Sequence, residues 1–468
     1  MSGTTSPSDP ALLRRVALSS LLGTAIEYYD FLVYGTMSAL VFGLVFFPDS
    51  DPAVGTIAAF GTLAAGYVAR PLGGILFGHF GDRLGRKAML VVTMLLMGGA
   101  SFAIGLLPTF AAIGVAAPIL LVVLRVVQGV AIGGEWGGAT LMVTEHADPH
   151  RRGFWNGVMQ MGSPIGSLLS VAVVTLITLL PDDDFLSWGW RIPFLVSVLL
   201  LAIGVYVRMS ITESPVFEET KREAVVPERP PLVEVLRRPR NLALACGVGI
   251  GPFALTALIS TYMITYATGI GYHRSDVMTT LLFTSTTALI TIPLFSTLSD
   301  RLGRRRVVLT GAIGIICYAW PFFGLVDSRN LTAFYVAMVL AQVIQSLMYA
   351  PLGALLSEMF GTSVRYTGAS LGYQLAALIG AGFTPLIASS ILSTGMSSVA
   401  LVIVAVACGL ITVISIWRIV ETRGADLTRV GGGCGVTAVA LETEPRASTK
   451  SQPTATRGAG AANPSDGW

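Results

Sequence analysis

Apolar positions in this chain neither alternate nor follow one helix face. They come in unbroken runs divided by short polar clusters. A run of about 20 apolar residues, coiled as an α-helix, crosses roughly 30 Å of hydrocarbon. Twelve such runs can be drawn. The first six cover 16–40, 54–78, 88–107, 112–143, 153–180 and 190–209; six more cover 242–268, 276–298, 307–326, 331–355, 367–393 and 397–420. The pattern predicts an all-α polytopic membrane protein of twelve transmembrane helices. The polar stretches divide it into a short N-terminus (1–15), a six-helix bundle (16–210), a linker (211–241), a second bundle (242–420) and a tail (421–468) rich in Gly, Ala, Thr, Ser and Pro, read as disordered.

Composition excludes a water-soluble globule: 53% of the 468 residues are hydrophobic and 12% charged, against about 25% charged in soluble domains. Placement of charge sets orientation. Of the 30 Lys and Arg, 25 fall in loops on the side of the two termini, three on the other side, and Arg70 and Arg125 inside spans. Both termini are therefore expected in the cytoplasm, in a bacterial cytoplasmic membrane. The first run follows Arg14 and Arg15 and is itself long enough to span, so no cleaved leader is expected.

The halves are related. Asp82-Arg83-Leu84-Gly85-Arg86-Lys87 follows the second run, and Asp300-Arg301-Leu302-Gly303-Arg304-Arg305 follows the eighth, with five of six positions identical. Paired helical halves are the common way to build a central site that opens to either side.

These loops resemble the signature loop of the major facilitator superfamily. Further stretches narrow the likeness: Glu27-Tyr28-Tyr29-Asp30-Phe31 in span one, Arg70-Pro71-Leu72-Gly73-Gly74 in span two and Arg125 to Gly138 in span four. Trp188-Gly189-Trp190-Arg191-Ile192-Pro193-Phe194 opens span six, and Glu213-Ser214-Pro215 follows it. Together they resemble the metabolite:H+ symporter group, carriers of shikimate, 2-oxoglutarate, citrate, proline and betaine. The resemblance implies that Asp82 and Asp300, with Arg83, Arg86, Arg301 and Arg304, make cytoplasmic contacts that hold an outward-open state, with Glu145 as an acidic partner for Arg86. Ser299 stands where the first copy has Gly81, which predicts looser packing in the second copy.

Ionisable groups inside spans are costly and tend to be functional. By helical rise, Glu27, Arg70 and Glu135 lie about 15–18 Å from the cytoplasmic ends of their spans, Asp30 about 21 Å and Arg125 about 30 Å, toward the outer half. Three carboxylates with two guanidiniums leave a net negative site, so admitting an organic anion requires a carboxylate to take up a proton. Glu27, Asp30 and Glu135 are the candidates, because arginine releases none in this range. Arg70 and Arg125 are candidate anion ligands; the competing reading is buried ion pairing. Gln160, Tyr262, Tyr266, Gln342, Gln345, Tyr349, Tyr373 and Gln374 offer neutral hydrogen bonds, or ordinary contacts between helices. Glycines 129, 133, 134, 137 and 138 predict close helix packing.

The sequence has no HExxH or GxxxxGK[ST] motif, and Pro149 separates His146 from His150. No enzyme activity, metal, nucleic-acid partner or cofactor is expected beyond a proton as coupling ion. The expected protein is a monomer in a lipid bilayer that imports a small organic acid by alternating access. Uptake of a zwitterionic osmolyte such as proline or betaine, or export by proton antiport, are the alternatives.

Overall fold

The computed structural model describes residues 10–49, 52–209, 213, 230–384, 387–388, 398–425 and 427. The first nine residues, most of the linker, Cys434 and the tail from 428 lie outside the described residues.

Twelve helical columns follow one another. They are α1 (Pro10–Met37, continued by a π-helical turn Ser38–Phe42 to Phe46), α2 (Pro52–Leu84), α3 (Arg86–Leu106), α4 (Ala116–His146), α5 (Arg152–Gln160, then Gly162–Ile177) and α6 (Ile192–Met209). The second half repeats them. It comprises α7 (Pro239–Ala257, a π turn Leu258–Tyr262, then Met263–Gly269), α8 (Arg274–Leu302), α9 (Arg304–Asp327), α10 (Leu331–Tyr349, then Leu352–Met359), α11 (Arg365–Ala377 with a π turn Leu378–Gly382) and α12 (Ser398–Arg418). No strand occurs among the described residues.

Among the described residues, ten helical segments are long and apolar enough to cross a membrane. The other two predicted spans are α2, which carries Arg70 at its centre, and α11, whose far end lies outside the described residues. The linker differs from expectation at both ends. Glu213 docks on α3, and Pro231–Arg237 forms a short helix.

Gly85 and Gly303 turn the chain sharply into α3 and α9 with φ of 113° and 100°, a region open to glycine at little cost. The end of the molecule that carries these two turns is called the basic face below. Large apolar side chains such as Leu72, Leu76, Leu199 and Ile403 point outward, as expected for helices that meet lipid.

Glycine decides how closely α2 and α4 approach. A Cβ on Gly129 would overlap the carbonyl of Gly66, one on Gly133 that of Arg70, and one on Gly73 that of Val130. The small-residue face of α4 is thus a backbone contact, and it places the guanidiniums of Arg70 and Arg125 side by side. Gly133→Val forces the two helices apart. We expect it to cost about 1–3 kcal/mol, seen as a fall of several degrees in the melting temperature of the purified protein.

Between the halves the centre is filled by rings. Trp136 stacks on Tyr373 with centroids 3.5 Å apart, and Phe253 meets the edges of Tyr373 and Tyr349.

Candidate functional site

Two guanidiniums converge on one aromatic ring. Arg70 lies 4.8 Å from the Phe31 centroid and 4.4 Å from that of Tyr67. Arg125 lies 5.0 Å from the same Phe31 and 4.2 Å from Tyr34. Arg125 Nη1 donates to Gln128 Oε1 at 3.1 Å, Gln128 donates to Ser101 at 2.6 Å, and Arg125 Nε has no partner. Among the described residues neither guanidinium is ion-paired to a carboxylate. The guanidinium of Arg125 thus reaches the same ring as that of Arg70, while its backbone lies about two turns nearer the outer end, because Gly129 meets Gly66 and Gly133 meets Arg70 where α2 and α4 touch.

The three carboxylates separate into two kinds. Glu27 and Asp30 are buried, and Glu27 Oε2 and both Asp30 oxygens accept no hydrogen bond. Glu135 is paired: Arg208 Nη2 donates to its Oε1 at 2.5 Å while Nη1 donates to the Leu90 carbonyl at 2.6 Å. Sequence reasoning had counted Arg208 as a loop charge. It is 1% exposed, because the last turn of α6 folds it inward over Gly23 rather than outward to water.

The second half contributes neutral groups. Tyr349 shares hydroxyl contacts with Tyr28 at 3.4 Å and Tyr373 at 3.3 Å. Gln342 donates to Gln345, which donates to Thr256, both at 2.9 Å. Two candidates tie the halves together instead. Gln160 donates to the Ala350 carbonyl at 2.9 Å, and Gln374 donates to that of Gly133 at 3.3 Å. Tyr262 and Tyr266 leave the centre altogether, reaching the Ala388 carbonyl and Asp327 inside the second half. Both rings pack into that half's own apolar core, which the one-turn spacing on α7 did not reveal.

At the basic face a twofold-repeated network joins the halves. Asp82 accepts the backbone N–H groups of Tyr366 and Thr367, each at 3.1 Å, at the start of α11. Asp300 does the same for Gly153 and Phe154 at 2.9 and 2.7 Å, at the start of α5. A carboxylate at a helix N-terminus satisfies donors the helix cannot, and it sits at the positive end of the helix dipole. Burial raises the Asp82 carboxyl to about 6, against the pull of Arg86 and of the α11 donors.

Buried ion pairs surround these caps. Glu145 lies 3.5 Å from Arg86 and 3.0 Å from Arg365; Glu358 lies 3.4 Å from Arg304 and 3.9 Å from Arg152. Glu213 takes the N–H groups that open α3, at Arg86 and Lys87, and Glu421 those that open α9, at Arg304 and Arg305.

Three expectations change here. Arg83 and Arg301 are exposed and stand outside the network. Ser299 does not loosen the second copy: it is buried and accepts from Arg304, whose contact with Asp300, at 2.6 Å, is shorter than that of Arg86 with Asp82 at 3.8 Å. Gly81 must be small because the Tyr366 ring lies on it, whereas the residue corresponding to Tyr366 in the other half is Gly153, which leaves room for a serine. The chain after α12 is also not free at once. Thr422 donates to Glu358 at 2.7 Å, Arg152 donates to the Ala425 carbonyl at 2.6 Å and Arg365 donates to that of Leu427 at 2.8 Å.

The sequence profile of the Major Facilitator Superfamily matches residues 31–371 and 263–433. The shikimate transporter of Escherichia coli (strain K12) is 42% identical over 385 residues, 81% of this chain and 88% of the relative. The chain belongs to the Major Facilitator Superfamily. A proline/betaine transporter of Salmonella typhimurium is 34% identical over 87% of this chain and 84% of its own length. The inner membrane metabolite transport protein YhjE of E. coli is 39% identical over 88% and 95%. These relatives bear out the likeness to the metabolite:H+ symporter group. Among solved structures, the proton:xylose symporter XylE bound to 6-bromo-6-deoxy-D-glucose superposes with a TM-score of 0.73 at 16% identity, over 89% of this chain and 98% of that one. The superfamily fold is thereby shared. As a superfamily member this chain is a multi-pass inner-membrane transporter of small molecules, not an enzyme.

Sequence reasoning missed Arg152, Glu358 and Arg365, though a signal was present. Glu145 stands seven residues before Arg152, and Glu358 seven before Arg365, at the same junction of each half.

Proposed function

We propose that this superfamily member is a proton-coupled symporter that imports a small organic acid. It would act as a monomer with both termini in the cytoplasm, so that the basic face is cytoplasmic and the conformation described, tied shut there, faces outward. One observation carries the reading. Two guanidiniums without carboxylate partners share Phe31, which directly follows buried Asp30 and stands one turn after buried Glu27, and among the described residues neither acid is ion-paired. The arginines ask for an external anion. The carboxylates ask for protons, since a buried anion without donors is strongly disfavoured. With Arg208 counted, three acids face three guanidiniums, so an anion and a proton that enter together leave the site balanced and either alone does not. The likeness to a shikimate transporter supports this reading.

A second reading draws on the likeness to proline/betaine transporters and on the central rings of Tyr28, Trp136, Tyr349 and Tyr373, which would take a quaternary ammonium once the stacked Trp136 and Tyr373 part. The test is proteoliposome counterflow against aliphatic and cyclic carboxylates, proline and betaine, with uptake followed under an inward proton gradient. The proposal expects a carboxylate to exchange and an uncoupler to abolish its accumulation. Exchange of betaine alone, or accumulation that ignores the proton gradient, overturns it.

A further inference from the structure

Of the three membrane-embedded carboxylates, one already has a dedicated cation, and that pairing changes what each of them can do. Arg208 spends one terminal nitrogen on Glu135 and the other on the Leu90 carbonyl. Its guanidinium and Glu135 Oε1 both lie where a side chain on Gly23 would be, and Gly23 is one helical turn before Glu27 on the same face of α1. Glu27 therefore faces Glu135 and Arg208 together, and Arg70 is near enough to act on it as well. Among the described residues it makes no hydrogen bond or ion pair with any of them.

The remaining surroundings of Glu27 are neutral. Tyr67 of α2, Tyr349 of α10 and Tyr373 of α11 are the titratable side chains that face it from those helices, and Asp30 lies one turn farther along α1. α5 meets α1 through Gly162 and Gly166, and α3 offers Arg208 a backbone carbonyl. Arg208 thus lies near two carboxylates and pairs with one of them.

We propose that Glu27 is the carboxylate that carries the proton, and that Glu135 acts as the counter-ion that keeps Arg208 from pairing with Glu27. This rests on the proton-symport reading above and deepens it. Arg208 is a positioning residue. While Glu135 holds it, ionised Glu27 is a buried anion without donors, so it takes a proton from the outer water as substrate enters and returns it to cytoplasmic water when the gate opens. If Glu135 is made neutral, the full charge of Arg208 is left to Glu27, which then stays ionised and has no proton to carry.

The inference makes a reversal its signature. Glu135→Gln is expected to lose proton-driven accumulation at least about tenfold while substrate exchange continues. Glu135→Gln combined with Arg208→Gln removes the stray cation and is expected to restore accumulation with the wild-type pH profile. Adding Glu27→Gln to that pair abolishes accumulation again and leaves exchange. If the paired variant exchanges substrate without accumulating it, Glu135 carries the proton and the inference is wrong; it is equally wrong if Glu135→Gln alone still accumulates. Wild-type uptake that ignores pH would instead remove the symport reading itself.

A measurement on the unaltered protein guards against variants that fail to fold. A protonated carboxyl in an apolar site adds its O–H across a C=N bond of a hydrophobic carbodiimide, the O-acylisourea rearranges to a stable N-acylurea without losing a group, and peptide mass spectrometry should place that adduct on Glu27 and not on Glu135. An adduct on Glu135 with Glu27 unmodified overturns the assignment.

Discussion

Glu145→Gln is expected to open the basic face. Glu145 is buried and serves Arg86 from its own half and Arg365 from the other, at 3.5 and 3.0 Å. A glutamine leaves two buried guanidiniums short of their common counter-charge, and breaking a buried pair in this way costs about 3–5 kcal/mol. The penalty falls on the closed state alone, because opening returns both arginines to water. The equilibrium should then move toward the open state by about 10²-fold or more.

Ser370, buried on α11 against Gly137, reports the change. In a background without the native cysteines, Ser370→Cys should be protected from an impermeant maleimide applied to the basic face. The additional Glu145→Gln should make it reactive. By the repeat, Glu358→Gln should do the same through Arg304 and Arg152. Protection that persists in both variants would mean that the carboxylates do not hold the gate.

The fold was legible because the bilayer imposes one rule, a long apolar run for each crossing, and the repeated Asp-Arg-Leu-Gly-Arg turns show where the halves correspond. Site residues were legible where chemistry made them conspicuous. Arg70, Arg125, Glu27 and Asp30 stand in apolar runs and do converge. Legibility failed where the surroundings decide the role of an ordinary residue. Arg208 reads as a boundary charge until α6 is seen to turn it over Gly23. Tyr262 and Tyr266 share a helix face, yet that face looks into the second half and not at the centre. Ala425 and Leu427 belong to no apolar period, and they are held by backbone carbonyls that any sequence would supply.

The two halves also divide their labour in a way the repeat conceals. The gate is built twice, since two bundles that rock against each other need equivalent contacts at one end. The membrane-embedded charges are built once, in the first half, and the second half answers them with Tyr349, Tyr373, Gln342 and Gln345. On the proposed reading, coupling and recognition are therefore concentrated on one half. Its partner mainly closes over the substrate.

Arg70→Gln and Arg125→Gln should each weaken binding of a carboxylate substrate about 10–100-fold, since a hydrogen bond to a charged group contributes about 1.5–3 kcal/mol. The effect on a neutral amide or ester of the same acid should be small, because such an analogue never drew on the guanidinium charge. Arg125→Lys separates charge from shape. It keeps the cation but loses the planar group that lies over Phe31 and Tyr34, so affinity should fall nearly as far as with glutamine. The double variant should lose less than the sum of the single ones, since both guanidiniums rest on Phe31 and address one carboxylate. Titration calorimetry of the purified protein measures each case. Wild-type affinity in both single variants would place the anion elsewhere, and an equal loss for acid and amide would mean that the arginines support the fold and not the ligand.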